Sequence, residues 1–201
     1  MRVARRLAAR DRVDHLTMRR LAAALGVMPN ALYTYFPDKA SILDAVLDDL
    51  IGDVERPSAR VGWRRGLAAL MRSYRAVLLS EPGLIPLTVS RPMLGPNAMR
   101  LREDMLALLL RRDLDGGTAV DAYLSLFAYT TGFVAFEAGR APGEGDRRQR
   151  GEAREMYAAL SDEDFPATRA LARRLTERAG DREFERGLAS LLAGFAAPGR
   201  R

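Results

Sequence analysis

The sequence predicts an all-α fold, and three observations carry that reading. Apolar residues recur at three- and four-residue spacing along nearly the whole chain, the period of an amphipathic helix. No stretch sustains the two-residue alternation of a half-buried strand. Turn residues then cut the pattern into helix-sized lengths: Gly26, Pro37, the prolines between 82 and 96, and Asp115-Gly116-Gly117. About nine or ten helices are expected on this basis. A chain of 201 residues can bury a substantial core in one or two domains. Its formal charge of +6 rests almost wholly on arginine, Lys39 being the single lysine. That balance suits a nucleic-acid partner and equally a GC-rich coding sequence. Without cysteine there is no disulfide, thiolate metal site or cysteine nucleophile.

Taken in order, the basic residues 1–13 lack the apolar core of a signal peptide and read as an amphipathic helix. Val3, Leu7, Ala8 and Val13 face inward and the arginines outward. Residues 17–39, TMRRLAAALGVMPNALYTYFPDK, hold two short helices joined by a tight turn. Leu21, Ala22 and Leu25 form the apolar stripe of the first. Thr17 can cap it, its hydroxyl accepting from an otherwise unpaired backbone N–H. Gly26 ends it, because glycine takes the left-handed conformation without a side-chain clash. Val27 is placed to fill the corner. Pro29 suits the first turn of the next helix, where a missing N–H is no loss. Ala31, Leu32 and Phe36 face inward and leave Asn30, Tyr33, Thr34 and Tyr35 outside. Pro37 stops that helix and Asp38 caps the following one.

This stretch resembles the DNA-binding head of the tetracycline-repressor (TetR) family of bacterial transcription regulators. The resemblance rests on LTMRRLAAALGV, NALYTYFPDK and ILDAVLDDLI, in that order. It implies a helix-turn-helix whose second helix enters the major groove of double-stranded DNA. By the same resemblance Arg19 can reach a guanine, and Asn30 and Thr34 read base edges. Thr17, Tyr33, Tyr35 and Lys39 hold phosphates, and Pro29 belongs to the same DNA-binding set. Met28 departs from the family's small polar cap. The first helix also begins several residues later than in the family, which implies either a start placed late or a trimmed, less stable head.

Residues 40–54 form a fourth helix, with Ile42, Leu43, Val46, Leu47 and Leu50 inward. Asp44, Asp48 and Asp49 are expected on a solvated face, since no His or Cys joins them as a metal set. Residues 55–61 separate a head, 1–54, from a body, 62–197. Trp63, Leu67, Leu70, Met71, Tyr74 and Leu78 mark a long helix over 62–80. Residues 81–97 contain four prolines and are read as short turns with a brief helix. Leu101, Met105, Leu108 and Leu109 mark the next helix, over 98–112. Residues 118–138 are the most apolar long stretch, interrupted by Asp121, Ser125, Thr130, Thr131 and Glu137. They read as a helix buried in the body and against a partner, not as a membrane span. Residues 139–154, rich in Gly, Arg and Glu, read as a mobile loop. Residues 164–180 and 182–195 read as helices, and the final PGRR as a frayed tail.

The body resembles the same family, most specifically through FPATRALARRL and FERGLASLLAGF, which are similar to the tetracycline-repressor-like C-terminal domain. This implies a homodimer built through 118–138 and 182–195, with Leu188 and Leu192 at the contact. It also implies a cavity for a small-molecule effector. The candidate lining is Trp63, Met71, Tyr74, Met93, Met105, Tyr123, Phe127, Thr130 and Phe133, apolar walls that suit a hydrophobic or aromatic molecule. The family's tetracycline sensors hold the drug with a metal ion bound partly by histidine. Here the one histidine, His15, lies in the head, so no metal or cofactor is expected. Together these readings describe a cytoplasmic, ligand-responsive repressor released from a palindromic operator, with no membrane partner. An enzyme is disfavoured: there is no nucleophile elbow or phosphate loop, and Glu103-Asp104 and Asp162–Asp164 sit in polar settings. The rival reading is a ligand-binding dimer whose head is impaired.

Overall fold

The computed structural model describes residues 1–10, 16–58, 60–111, 114–139, 144–177 and 179–195, and every regular element among them is helical. The first four helices are α1 (Arg2–Arg10), α2 (Met18–Leu25), α3 (Pro29–Tyr35) and α4 (Lys39–Ile51). Then come α5 (Trp63–Ser80), a 3-10 turn at Pro82–Leu84, α6 (Ile85–Ser90), α7 (Pro96–Leu110) and α8 (Gly116–Ala138). The chain closes with α9 (Glu144–Ala158), α10 (Pro166–Ala170), α11 (Ala172–Leu175) and α12 (Asp181–Gly194). Val13, His15 and the tail 198–201 lie outside the described residues.

The described helices outnumber the nine or ten expected, for two local reasons. Residues 144–158 are a helix, not a mobile loop. Their Glu, Arg and Ala are good helix formers, and the pairs Arg150–Asp146 (3.1 Å) and Arg148–Glu152 (3.6 Å) join successive turns. Glu144 and Asp146 complement the positive end of the helix dipole. Downstream, the single helix expected over 164–180 breaks at Leu171 into α10 and α11.

In the first four helices, local chemistry acts as expected at the caps. Thr17 Oγ1 accepts from the Arg20 amide at 3.2 Å. Gly26 sits at φ 69°, and the Val27 N–H closes the turn on the Ala22 carbonyl at 3.0 Å. Asp38 and Ser41 form a reciprocal capping box at the start of α4. Packing differs from expectation at three small positions. Leu21 and Ala22 are buried, but Leu25 is 37% exposed, being about 40° further round and in the last turn. Val27 does not fill the corner; it is 42% exposed. Only Leu32 anchors α3 in the core, with Phe36 half-buried behind it, so Ala31 faces outward as well. A helix of under two turns has room for one such contact.

Arginines do not all face outward on α1. Ala4 and Ala8 are buried as the helix packs on α2 and α4, and Arg5 turns in with them. It meets Glu81 and Asp53 at 2.6 Å each, and Asp49 at 3.6 Å. Burial works against its charge, but these carboxylates more than compensate and raise its pKa.

The core runs unbroken from α1 to α12 through α4. Ile42, Leu43, Val46, Leu47 and Leu50 are all buried there. The acids of α4, expected on a solvated face, are instead each engaged by a neighbour. Asp44 takes a bidentate contact from Arg91, with Nη2 donating at 2.8 Å. Asp48 accepts the Asn97 and Ala98 amides, at 3.0 and 2.9 Å, at the start of α7. Asp49 is drawn to Arg5. Behind α4, α5 and α7 pack on the long α8, flanked by α6 and α12, while α9, α10 and α11 pack chiefly on one another. On α12, Phe184, Leu188 and Leu192 are buried within the protomer. Leu188 and Leu192 are therefore core residues here, not contact residues for a partner.

Candidate functional site

The polar and aromatic residues of the helix-turn-helix converge on one exposed surface. α3 presents Asn30, Tyr33, Thr34 and Tyr35 to solvent, with Tyr35 80% and Tyr33 50% exposed. Arg19 and Arg20 are exposed on the neighbouring α2, and Thr17 stands at its start. Because the Thr17 oxygen accepts the Arg20 amide, its hydroxyl hydrogen remains available to an outside acceptor. Thr34 donates back to the Asn30 carbonyl at 3.2 Å, leaving its oxygen lone pairs and methyl outward. Pro29 and Lys39 are half-buried at the two ends of this surface. Beside Lys39, hydrogen bonds from the Ser41 backbone and side chain hold the Asp38 carboxyl below the usual carboxylate range. Met28, 75% exposed, and the outward Ala31 join the same face. The sequence reading gives Met28 only as an unusual cap and turns Ala31 inward, so neither is among its expected DNA contacts. The spacing of 28, 31 and 35 is the signal, since it puts Met28 and Ala31 on the side of Tyr35.

The nine residues expected to line an effector cavity fall into separate groups. Tyr74 of α5 stacks on Phe127 of α8 with centroids 5.3 Å apart, and Phe127 on Tyr123 at 6.1 Å. Met71, Tyr74, Met105 and Thr130 are fully buried. The Tyr74 and Thr131 hydroxyls bond at 3.1 Å, and burial pushes the Tyr74 phenol pKa upward against that bond. The Thr130 hydroxyl has no partner among the described residues. Phe133 faces a different side of α8. It meets Tyr129 at 5.8 Å and Phe184 at 5.4 Å, with the Arg75 guanidinium 5.9 Å above its ring. Trp63 is half-buried at the start of α5, beside the Arg64 guanidinium at 5.4 Å. Met93 lines a cavity of about 260 Å³ between α4 and the α6–α7 connection, with Leu47, Leu94 and Ala98 among its walls.

α8 is long and apolar enough to cross a membrane by length and composition alone. Several of its polar groups are nonetheless engaged inside the protein. Glu137 pairs with Arg75 at 2.8 Å, and the Tyr129 hydroxyl donates to the Phe184 carbonyl at 2.9 Å. Burial opposes the Arg75 charge, but Glu137 and Asp181 raise its pKa. The reverse face, with Val120, Leu124 and Phe136 each about half exposed, is open to solvent.

Comparison with known proteins decides the family. The profile described as "Bacterial regulatory proteins, tetR family" matches residues 1–46, and "Tetracyclin repressor-like, C-terminal domain" matches residues 56–198. The chain belongs to the TetR family. An HTH-type transcriptional regulator of Saccharopolyspora erythraea is 32% identical over 94% of this chain and 79% of its own length. The class A tetracycline repressor of transposon 1721 from Escherichia coli is 34% identical, over 92% and 82% respectively. Among solved structures, the Streptomyces coelicolor TetR family protein ActR in complex with actinorhodin superposes with a TM-score of 0.88. It is 28% identical, covering 96% of this chain and 92% of that one. As a TetR-family member the protein is a ligand-responsive, DNA-binding transcriptional regulator. The family is one of regulators, not catalysts.

Proposed function

We propose that the protein is a homodimeric repressor that holds a palindromic operator through α3 and releases it when a small, largely apolar molecule enters the body. The observation that carries this reading is the helix α4, which packs on α1 and, through α1 and α2, backs the exposed α3, while it grips α6 and α7 through Asp44 and Asp48 on its other side. Residues 1–54 serve as the DNA-binding head and 62–197 as the effector-binding and dimerisation body. The setting is the bacterial cytoplasm, where the DNA is. The impaired-head reading is the poorer one, because α2 is capped, its turn is closed, and α3 carries polar side chains outward.

On the DNA, Asn30 and Thr34 read base edges and Arg19 reaches a guanine. Met28 and Ala31 offer apolar contact to a thymine methyl. Thr17, Tyr33, Tyr35 and Lys39 hold phosphates, which position α3 without reading sequence. Two substitutions separate these roles. Asn30→Ala is expected to relax preference at one base pair, costing ~1–3 kcal/mol there and little elsewhere. Lys39→Ala is expected to weaken all sequences alike and to flatten the salt slope by about one. Fluorescence anisotropy over a salt series with operator and scrambled duplexes reads both. Equal loss of specificity in the two variants would refute the division of roles.

The regulatory half of the proposal is tested by linkage. A ligand found by thermal-shift screening is titrated into the protein with and without operator DNA. A coupling of ~1–3 kcal/mol predicts that DNA weakens ligand binding roughly 5–150-fold, and the ligand weakens DNA binding by the same factor. Identical ligand affinities in both titrations would mean that the body binds without signalling.

A further inference from the structure

The chemical class of the effector follows from one half-buried arginine that meets no carboxylate among the described residues. Among the described residues, the other half-buried arginines of the body each meet a carboxylate: Arg75 meets Glu137, Arg91 meets Asp44, and Arg150 meets Asp146. Arg102, half-buried on α7, meets none. Its Nε donates to the Tyr123 hydroxyl at 3.2 Å and its Nη2 to the Met93 carbonyl at 3.2 Å. Its Nη1 points at the Met99 sulfur, 2.9 Å away, and the guanidinium lies 5.9 Å from the Tyr123 ring centroid. A guanidinium drawn out of water onto neutral acceptors keeps an unanswered charge. Its planar fork of donors matches a carboxylate or a phosphate bidentately, and a lone guanidinium in an otherwise neutral, aromatic surround answers the single charge of a carboxylate.

What lies behind Arg102 is aromatic. The Tyr123 whose hydroxyl accepts from its Nε begins the row Tyr123–Phe127–Tyr74, which ends at the Tyr74–Thr131 hydroxyl pair; the neighbouring Thr130 hydroxyl is buried with no partner among the described residues. Met71 and Met105 are buried in the same core, and Met93 and Met99 hold the guanidinium at its outer end. Methionine is unbranched and repacks at low cost, so this surround can open around an inserted ring. The 260 Å³ cavity lined by Met93 and Ala98 lies on the same side, Ala98 being one turn before Arg102 on α7.

We infer that the body takes a planar aromatic acid, with its carboxylate on Arg102 and its ring on Tyr123 and Phe127. This rests on the reading of the body as an effector site and gives that site a ligand class. In binding, the carboxylate replaces the Met99 sulfur and Met93 carbonyl as acceptor, and the ring replaces part of the Tyr123–Phe127 contact. Met93 also lines the cavity against Asp44 and Asp48, so its displacement would reach the α4 contacts directly.

The probes are 1-naphthoate, 2-naphthoate and anthracene-2-carboxylate, each against its neutral primary amide, titrated calorimetrically into the full chain. At least one acid should bind about 10–100-fold more tightly than its amide. Arg102→Gln should remove that preference by weakening the acid far more than the amide, with a circular dichroism melt reporting that the variant is folded. Arg102→Lys, which keeps the charge but loses the fork, should fall between. If Arg102→Gln fails to fold, a drop in the acid preference of Arg102→Lys carries the test alone. Acids and amides binding alike, with neither altered by the substitutions, would overturn the anion assignment and leave the effector reading intact. Binding of neither at millimolar concentration would overturn the proposed site. Whether the effector reading survives is then decided separately by operator release with neutral thermal-shift hits.

Discussion

A Leu124→Glu protein is expected to sediment as a folded monomer and to bind its operator about 100-fold or more weakly than the wild type. Within one protomer the change is mild, because Leu124 is 54% exposed and Glu is a good helix former. Against a partner it is severe. Val120, Leu124, Ala128 and Gly132 follow one another at i, i+4 along α8, with Ala135 and Phe136 a turn beyond, and all six are exposed. On α12, which packs on α8, Ala189, Ala193 and Gly194 are also exposed, small residues that let helices approach closely. A two-fold dimer through such a face places one Leu124 from each protomer in the interface. Two unpaired carboxylates buried there would cost several kcal/mol. Once the dimer parts, each head holds only a half-site and the gain from linked binding is lost. Sedimentation velocity at micromolar concentration, with a circular dichroism melt, separates this from unfolding. Leu188→Glu is the contrasting control. Leu188 is 1% exposed within the protomer, so that variant should unfold, not dissociate. A Leu124→Glu protein that stays dimeric would place the interface elsewhere.

What the sequence discloses and what it conceals divide by distance along the chain. Thr17, Gly26, Pro29 and Asp38 act within three or four residues of themselves, and each adopts the role its chemistry suggests. The apolar row of α4 is equally legible, because periodicity alone sets which side is buried. The three acids on that helix were not legible. Their partners, Arg91, Asn97 and Arg5, lie more than forty residues away or are themselves arginines that composition places on the surface. The exposed face of α3 was read correctly for its polar residues and wrongly for Ala31, since a seven-residue helix offers too few apolar positions to fix its phase. The position of Phe133 is legible from helix geometry. It stands six residues after Phe127, about 240° round the helix, and so cannot share its face. Arg102 carried no signal in the sequence, where one arginine among many looks like surface.

The second large effect is expected at Asp48, where the head and body are fastened together. The first turn of α7 lacks a side-chain cap of its own, because Gly95 occupies the N-cap position. Asp48 supplies the missing acceptor from α4. Its carboxylate takes the Asn97 and Ala98 amides at 3.0 and 2.9 Å, and Asn97 Nδ2 donates to the Asp48 carbonyl at 3.1 Å. A carboxylate at a helix N-terminus also answers the dipole. Gly95 is required here, for a Cβ at that position would run into the Asp48 carboxylate. Asp48→Ala leaves two partly buried amides without an acceptor and removes a charge-assisted contact, a loss of ~2–4 kcal/mol. For a chain of this size that lowers Tm by roughly 5–10 °C. Gly95→Ala should reach much of the same loss from the other side, so the double variant should be clearly less damaged than the sum of the two. Asp44, one turn earlier on the same face of α4, still holds Arg91, so the head should remain folded. The functional consequence is the sharper test. If effector occupancy reaches α3 through this contact, Asp48→Ala should retain ligand binding and operator binding separately while their mutual effect shrinks toward nothing. Titrating ligand into the variant with and without operator DNA measures that directly. A destabilised Asp48→Ala protein with full coupling would show that the signal crosses elsewhere, with the Arg5 contacts to Asp49, Asp53 and Glu81 the next place to cut.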